Sequence, residues 1–470
     1  MSQIQNYGRR FPRLSLQPEP YVSSDVPPAQ PPHSGGPMTG RRSVETAIDD
    51  TFTKYLTDKG KGDAGEQGAY RADAERELQR FRHWCLGRTA DSANASPPES
   101  WAGVVDGDTV RFADLDTTVF SDYARYLSTA GYAAGTVLTY YAHVASWCGW
   151  AHAQGYIPRH YARESDAEDP LPENDGRRPG DQQAWEPIHR DLITQFVDRR
   201  VSEAFDALGA IGVSHTDRGD PESEAWQAKQ RARFEAYQRC REQALVYVVA
   251  YTGLRGSEFL SAPKEDREGR NGIQWRDVSF ADSSVTVFRK SREWKEASLP
   301  EPVIGPLRRY AEVLDVPDSW PVFTTLHRPS LASHVTERLA DAGLDNDAIE
   351  RVRGGAPDLI VAAEHDLDAP KPLTTDGARS IMERLWTHEA LAERRNELDL
   401  SLDGDYLELH GGRRGVGEVL VRQFGYAAAA RYLDNSEEQV REAYQHIEAA
   451  ERADMATEAF SQTDNRVNER

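Results

Sequence analysis

The chain has 470 residues, 28% of them charged and 39% hydrophobic. At roughly 150 residues per domain this is length for two or three domains. No run approaches the ~18 consecutive apolar residues of a membrane-spanning helix, so none is expected. The first 20 residues are polar and Arg-bearing, so no secretory signal is expected either. Cys85, Cys148 and Cys240 lie far apart. Without a Cys-x-x-Cys pair, neither a zinc ribbon nor a disulfide scaffold is expected. These features read as a cytoplasmic protein.

The charge is unusual. The formal net charge is -21, from 77 acidic and 56 basic residues, and lysine stands at only eight positions. Such a surplus argues against a nucleic-acid partner, because phosphate binding normally uses a basic face. A protein adapted to molar salt offers another account. There the Debye length is about 3 Å, and surplus carboxylates repel one another little. Few lysines with many carboxylates fit that halophilic reading, and local charge then says more than the total. Residues 246–300 hold nine basic against eight acidic residues, whereas 405–450 hold five against eight.

In chain order, residues 1–45 read as a disordered, proline-rich tail. Helical spacing begins near Asp73, with Leu78, Phe81 and Cys85 on one face. A second run carries Phe120, Tyr123 and Leu127 and stops at Gly131. A third runs from Val137 through Tyr141, Val144 and Trp147 to Ala151 and stops near Gly155. Together these predict a small helical domain over 70–160. The prolines and charges of 161–190 read as a linker, 191–450 as a second, larger domain, and 451–470 as a polar tail. Within the larger domain a helix carries Phe234, Tyr237 and Leu245 to a stop at Gly253. The period then changes, and Gly272–Phe280 and Ser284–Phe288 read as strands about an Ala281-Asp282 turn. Residues 300–400 are mixed helix and loop, and 407–444 are mostly helical. Ser436-Glu-Glu-Gln439 is a capping box that starts a new helix at about Glu437.

Four features can carry chemistry. In Thr252-Gly-Leu-Arg-Gly-Ser-Glu258, Arg255 follows a helix end and can offer its planar fork to a phosphate. His410-Gly-Gly-Arg413 opens an amphipathic helix, where a three-residue spacing puts both side chains on one face beside backbone N–H groups. Lys290 follows a strand and can give a proton to a leaving oxygen, which arginine cannot. Tyr444 lies on the apolar side of the capped helix with Val440 and Ile447, and a nucleophilic tyrosine there needs its pKa lowered by cations such as these arginines. Alone, each has a plainer reading: a surface arginine past a helix end, a capping histidine, a solvated turn, a core tyrosine. No second His or Cys at ligand spacing accompanies His410, which speaks against a metal.

Taken together, these residues resemble the tyrosine recombinase (phage integrase) family. The family's pattern is an arginine in T-G-L-R-x-S-E, a lysine in a β-hairpin, H-x-x-R, a His or Trp in an L-G-H context, and a tyrosine in Y-x-H. Here Thr252–Glu258, Lys290, His410–Arg413 and Tyr444-Gln-His446 match in order, and Leu433-Asp-Asn435 stands at the L-G-H place nine residues before the tyrosine. The resemblance covers about 73–450. It implies a mainly α fold: a helical core-binding (SAM-like) domain over 70–160, and a mixed α+β, mainly helical catalytic domain with a small antiparallel hairpin sheet.

By the same resemblance, Tyr444 attacks a DNA phosphodiester and forms a 3′-phosphotyrosyl bond. Arg255 and Arg413 neutralise its non-bridging oxygens, Lys290 protonates the leaving 5′-oxygen, His410 assists as acid or base, and Asn435 donates to the phosphate. The implied partner is double-stranded DNA at a specific site, cut and rejoined by a homotetramer through a Holliday junction, with no cofactor, no metal and no membrane. Two departures stand out. Asn435 replaces His or Trp and Asp434 replaces Gly, and the 158-residue separation of Arg255 and Arg413 exceeds the family's usual spacing, which places insertions in 325–400. A catalytically weakened DNA-binding relative, a type IB topoisomerase-like relaxer and an acidic helical protein-interaction scaffold are the alternatives.

Overall fold

A computed structural model describes residues 43–447, apart from 61–64, 66–67, 89–103, 106, 174–181, 216–217, 221, 263–268 and 403. The fold is mainly α with one small antiparallel sheet. Among the described residues no helix is long and apolar enough to cross a membrane.

The first unit is helical. Helices α1 (Phe52–Lys59), α2 (Ala69–Cys85), α3 (Thr117–Thr129), α4 (Ala134–Ala153) and α5 (Ser165–Glu168) bury one aromatic-rich core. Asp116 caps α3 by accepting from Val119 N at 3.0 Å, which satisfies one of the free N–H groups of the first turn. Trp147 of α4 stacks on Phe112 and meets Phe52 edge-on, with ring centroids 5.5 Å apart in both pairs.

This unit is larger than the expected 70–160 at both ends. Ile48, Phe52, Tyr55 and Leu56 belong to its core, and Val44 O accepts from Ala113 N at 2.7 Å, so the chain is already folded before residue 45. At the other end Ala162, Ala167 and Leu171 pack into the same core, so the first part of the expected 161–190 linker is domain. Pro170 there follows the end of α5. The remainder of the expected tails, 1–42 and 448–470, lies outside the described residues.

The second unit is built around α7 (Glu224–Tyr251), on which α6 (Pro187–Ala210), α9 (Glu301–Leu314) and α15 (Leu409–Leu433) pack. Ser223 caps α7 through Trp226 N at 3.3 Å. The short α8 (Gly256–Phe259) follows α7 directly. Residues 328–397 form α10 (Arg328–Asp341), α11 (Asn346–Arg353), α12 (Asp358–Glu364), α13 (Thr375–Trp386) and α14 (Glu389–Glu397). These bury Leu331, Ile349, Leu359, Ile381 and Leu391 in the same core as α7.

The sheet has the order β1-β2-β3, from Val278–Ser279, Ser284–Phe288 and Trp294–Ser298. Val285 pairs with Val278 on one side and Ala297 on the other, and Phe288 pairs with Trp294. The strand expected over Gly272–Phe280 is only two residues long. Asp277 Oδ2 accepts from Gln274 N at 2.8 Å and closes a 3₁₀ turn over Trp275–Asp277 instead. A local side-chain acceptor there competes with strand pairing.

Residues 437–447 form the last described helix, α16. Its capping box is present: Gln439 N donates to Ser436 Oγ at 3.2 Å, and Ser436 N to Gln439 Oε1 at 3.4 Å. Ahead of it, α15 is kinked at Gly425, whose φ of 78° no helix contains.

Candidate active site

Gly253, with φ 66°, turns the chain out of α7 and delivers Arg255 to the N-cap of α8. The side chain is held by Glu258, buried to 1% exposure, whose carboxylate accepts from Arg255 N and Nη1, both at 2.9 Å. Glu258 also accepts from Arg289 Nη1 at 2.9 Å. Arg289 directly follows β2, so one buried carboxylate ties the Arg255 turn to the hairpin. An unpaired carboxylate would not survive burial at that depth, and each arginine offsets its desolvation.

Arg413 lies one turn into α15 and is 4% exposed. Its Nη1 donates to Gly253 O at 2.5 Å and its Nη2 to Leu433 O at 2.7 Å. The fork thereby closes the end of α7 onto the end of α15. Burial, and then the charge of Arg255, push its pKa down to about 10, so it stays protonated at neutral pH.

Asn435 stands between the two arginines. Its Oδ1 accepts from Arg255 Nη2 at 2.5 Å and from Arg413 Nη2 at 3.2 Å. Arginine only donates, so the amide oxygen must face the guanidinium pair. The sequence expectation had Asn435 donating to a phosphate. Here its carbonyl occupies the position between the arginines that an anionic oxygen would take, and Nδ2 is the group left to donate. Asp434, beside it, adopts φ 50° and ψ 53°, a left-handed conformation that favours glycine. Its carboxylate pairs with Lys295 Nζ at 3.1 Å and lies 3.7 Å from Arg289 Nε.

His410 is the second residue of α15. The residue is exposed at the cavity surface, yet the protein crowding it, and then the charges of Arg414, Arg413 and Arg255, push its pKa down to about 4. It is therefore neutral at pH 7. The same shift has a stability consequence. Between pH ~6.5, where an unfolded histidine titrates, and about 4, the unfolded chain takes up a proton that folded His410 refuses. Folding stability is lost across that window as pH falls. His410→Asn lacks this loss, so its Tm should fall less than that of the wild type between pH 7 and pH 4.5. Parallel Tm profiles for the two proteins would refute the shift.

Lys290 is exposed in the loop between β2 and β3. Lys295, the other candidate on the hairpin, is bound by Asp434 and by Glu293 Oε2 at 3.4 Å, and its pKa is raised by the hydrogen bond and charge of Asp434.

Tyr444 is 6% exposed, and its hydroxyl donates to Arg414 O at 3.3 Å. The hydroxyl end of the ring abuts α15 at Gly417, where an added Cβ would clash with Tyr444 Oη. The sequence expectation was a pKa lowered by the arginines. Burial outweighs Arg413 and Arg414, and the pKa is pushed up to about 12. Tyr444 rests as a neutral phenol. His446 Nε2 lies 3.4 Å from Glu418 Oε1.

All six residues expected from the sequence, Arg255, Lys290, His410, Arg413, Asn435 and Tyr444, line one cavity of about 540 Å³. Glu418, Glu442 and His446 also line it, as do Gln182 and Ala184 from the expected linker. Glu258 and Arg289 are not among the site residues expected from the sequence. Glu258 stands at the capping-box position three residues after Arg255. For Arg289 the signal is the alternation Val285, Val287, Arg289, which aims it at the buried face while Lys290 falls on the other. Nothing in the local sequence of 182–185 marks it.

No family model matches the chain, and no curated protein matches it. Solved structures do. The Tn1549 transposon integrase in complex with transposon right end DNA is similar over 88% of this chain and 100% of its own, at 11% identity and a TM-score of 0.46. A lambda integrase dimer bound to a COC′ core site is similar over 84% of this chain and 94% of its own, at 12% identity and a TM-score of 0.42. XerA recombinase is similar over 88% of this chain and 98% of its own, at 11% identity and a TM-score of 0.29.

Proposed function

We propose that the chain is a site-specific DNA recombinase that cuts and rejoins DNA through a 3′-phosphotyrosyl intermediate. The observation that carries this reading is the single cavity in which two arginines converge on one oxygen beside a lysine, a histidine and a tyrosine. A phosphodiester in that cavity takes the place of Asn435 Oδ1 between Arg255 and Arg413. The two cations then neutralise the charge that builds on the non-bridging oxygens. Tyr444 Oη leaves the Arg414 carbonyl and attacks phosphorus, the P–O5′ bond breaks, and Lys290 gives the departing 5′-oxygen a proton. His410 takes the phenolic proton once the bound phosphodiester offsets the arginine charges that help hold its pKa down to about 4. Rejoining reverses each transfer. The bond energy stays in the phosphotyrosine, so no cofactor is used.

DNA at a specific site, a homotetramer and a Holliday junction belong to the same proposal. So does operation at molar salt, which the acidic surplus suits. The test is a nicked suicide duplex in low and in molar KCl. A covalent protein–DNA adduct mapping to Tyr444 by peptide mass supports the reading. DNA binding without adduct would replace it with the second reading, a non-cleaving relative, which the buried neutral tyrosine favours.

The two hairpin lysines give a sharper test. Lys290→Ala should slow single-turnover adduct formation by about 10²-fold or more, the range for lost acid catalysis. Lys295→Ala should change it only a few-fold, because Lys295 is engaged by Asp434 and does not line the cavity. The reverse ranking would move the proton donor to Lys295.

A further inference from the structure

Residues 183–185 precede α6, and they lie against the start of α15 more than 220 residues later in the chain. Gln183 is 6% exposed. Its Nε2 donates to Tyr406 O at 2.8 Å, and its Oε1 accepts from Glu408 N at 2.7 Å. Those two backbone groups stand just ahead of His410. Trp185 Nε1 donates to Glu408 O at 2.9 Å and Trp185 N to Gly411 O at 3.0 Å. Glu408 makes no side-chain cap of its own for α15. The first turn carrying His410 is therefore fixed from outside its own sequence. On the other side, Gln183 O accepts from Arg414 Nη1 at 2.9 Å, and Arg414 O is the acceptor that seats the Tyr444 hydroxyl.

We propose that Gln183 is a positioning residue for the cavity: its buried amide sets the first turn of the His410 helix, and its carbonyl holds the arginine on which Tyr444 rests. The chemistry requires an amide. An apolar side chain of the same size fills the space but takes these partners from Tyr406 O and Glu408 N, both partly buried, and the turn shifts to satisfy them. Glutamate keeps the acceptor for Glu408 N and loses the donor to Tyr406 O. Only glutamine serves both. Displacement of this turn moves His410 against Arg413, Arg414 and Arg255, the charges that surround it.

The kinetic part of this proposal rests on the DNA-cleavage reading; the geometric part does not. The test uses the full chain and two variants, Gln183→Met and Gln183→Glu. The first readout is the titration of His410 by NMR in histidine-labelled protein, its signal assigned by its absence in His410→Asn. In the wild type the midpoint should lie well below the ordinary value near 6.5. In Gln183→Met it should move up toward that value, with Gln183→Glu between. The second readout is single-turnover cleavage of the suicide duplex. It should fall about ten- to a hundredfold in Gln183→Met, the scale of a misplaced catalytic group, with DNA affinity unchanged. A folded Gln183→Met whose His410 midpoint equals that of the wild type overturns the proposal. If Gln183→Met does not fold, Gln183→Glu is judged by the same midpoint. If the wild type forms no adduct, the recombinase reading falls, while the His410 titration still decides the role of Gln183.

Discussion

Tyr444→Phe is expected to fold, to bind DNA with wild-type affinity and to form no covalent adduct on a nicked duplex. The substitution removes one hydroxyl, whose single hydrogen bond to Arg414 O is 3.3 Å long. The loss should cost about 1 kcal/mol, a shift of a few degrees in Tm at most. The ring keeps its place against Gly417 and in the core of Val416, Val440 and Ile447. Nearby tyrosines are poor substitutes. Tyr432 Oη donates to Tyr251 O at 3.1 Å, and burial pushes its pKa up to about 12. Tyr426 Oη donates to Tyr444 O at 3.4 Å, and Arg441 lies over its ring. Neither lines the cavity that holds Arg255 and Arg413. Gel electrophoresis after denaturation reads the adduct, and a shift assay reads binding. Adduct that persists in Tyr444→Phe, or that maps to Tyr426 or Tyr432, would remove Tyr444 from the mechanism.

The residues of the cavity were legible in the sequence where local rules place them. Gly253 had to stop α7, because the next residues carry a turn and a capping glutamate. Ser436 and Gln439 had to start α16, because they satisfy each other's backbone N–H groups. The helical faces of Leu78, Phe81 and Phe120 followed from spacing alone. What local rules do not contain was missed. The third strand, Trp294–Ser298, alternates exposed and covered positions with Lys295 and Glu296 among them, so its composition hides it, and only pairing with Ser284–Phe288 defines it. The stretch Gly272–Phe280 has strand composition but also Asp277, whose carboxylate closes a turn. The resting state of Tyr444 departs from the expectation because the number of nearby cations is visible in sequence, whereas the burial that outweighs them is not. Gln183 was invisible for the same reason: its partners are chosen by tertiary packing.

Arg413→Lys should damage both stability and cleavage, and this separates Arg413 from Arg255. The Arg413 fork serves three acceptors at once, Gly253 O, Leu433 O and Asn435 Oδ1. A lysine ammonium is a point charge on a flexible stem and cannot reproduce two parallel N–H bonds in one plane. At least one buried carbonyl loses its donor, at a cost of about 1–3 kcal/mol. Arg255 is different: its side chain is 22% exposed, and its fork meets Glu258 and Asn435 rather than buried backbone. Arg255→Lys should therefore unfold closer to the wild type in a denaturant titration. Cleavage should fall in both by about 10²–10³-fold, the scale for a lost transition-state donor. Arg413→Lys with wild-type stability would mean that the two backbone bonds are dispensable. Cleavage within tenfold of the wild type in Arg413→Lys would mean that a point charge suffices where the structure holds a planar fork.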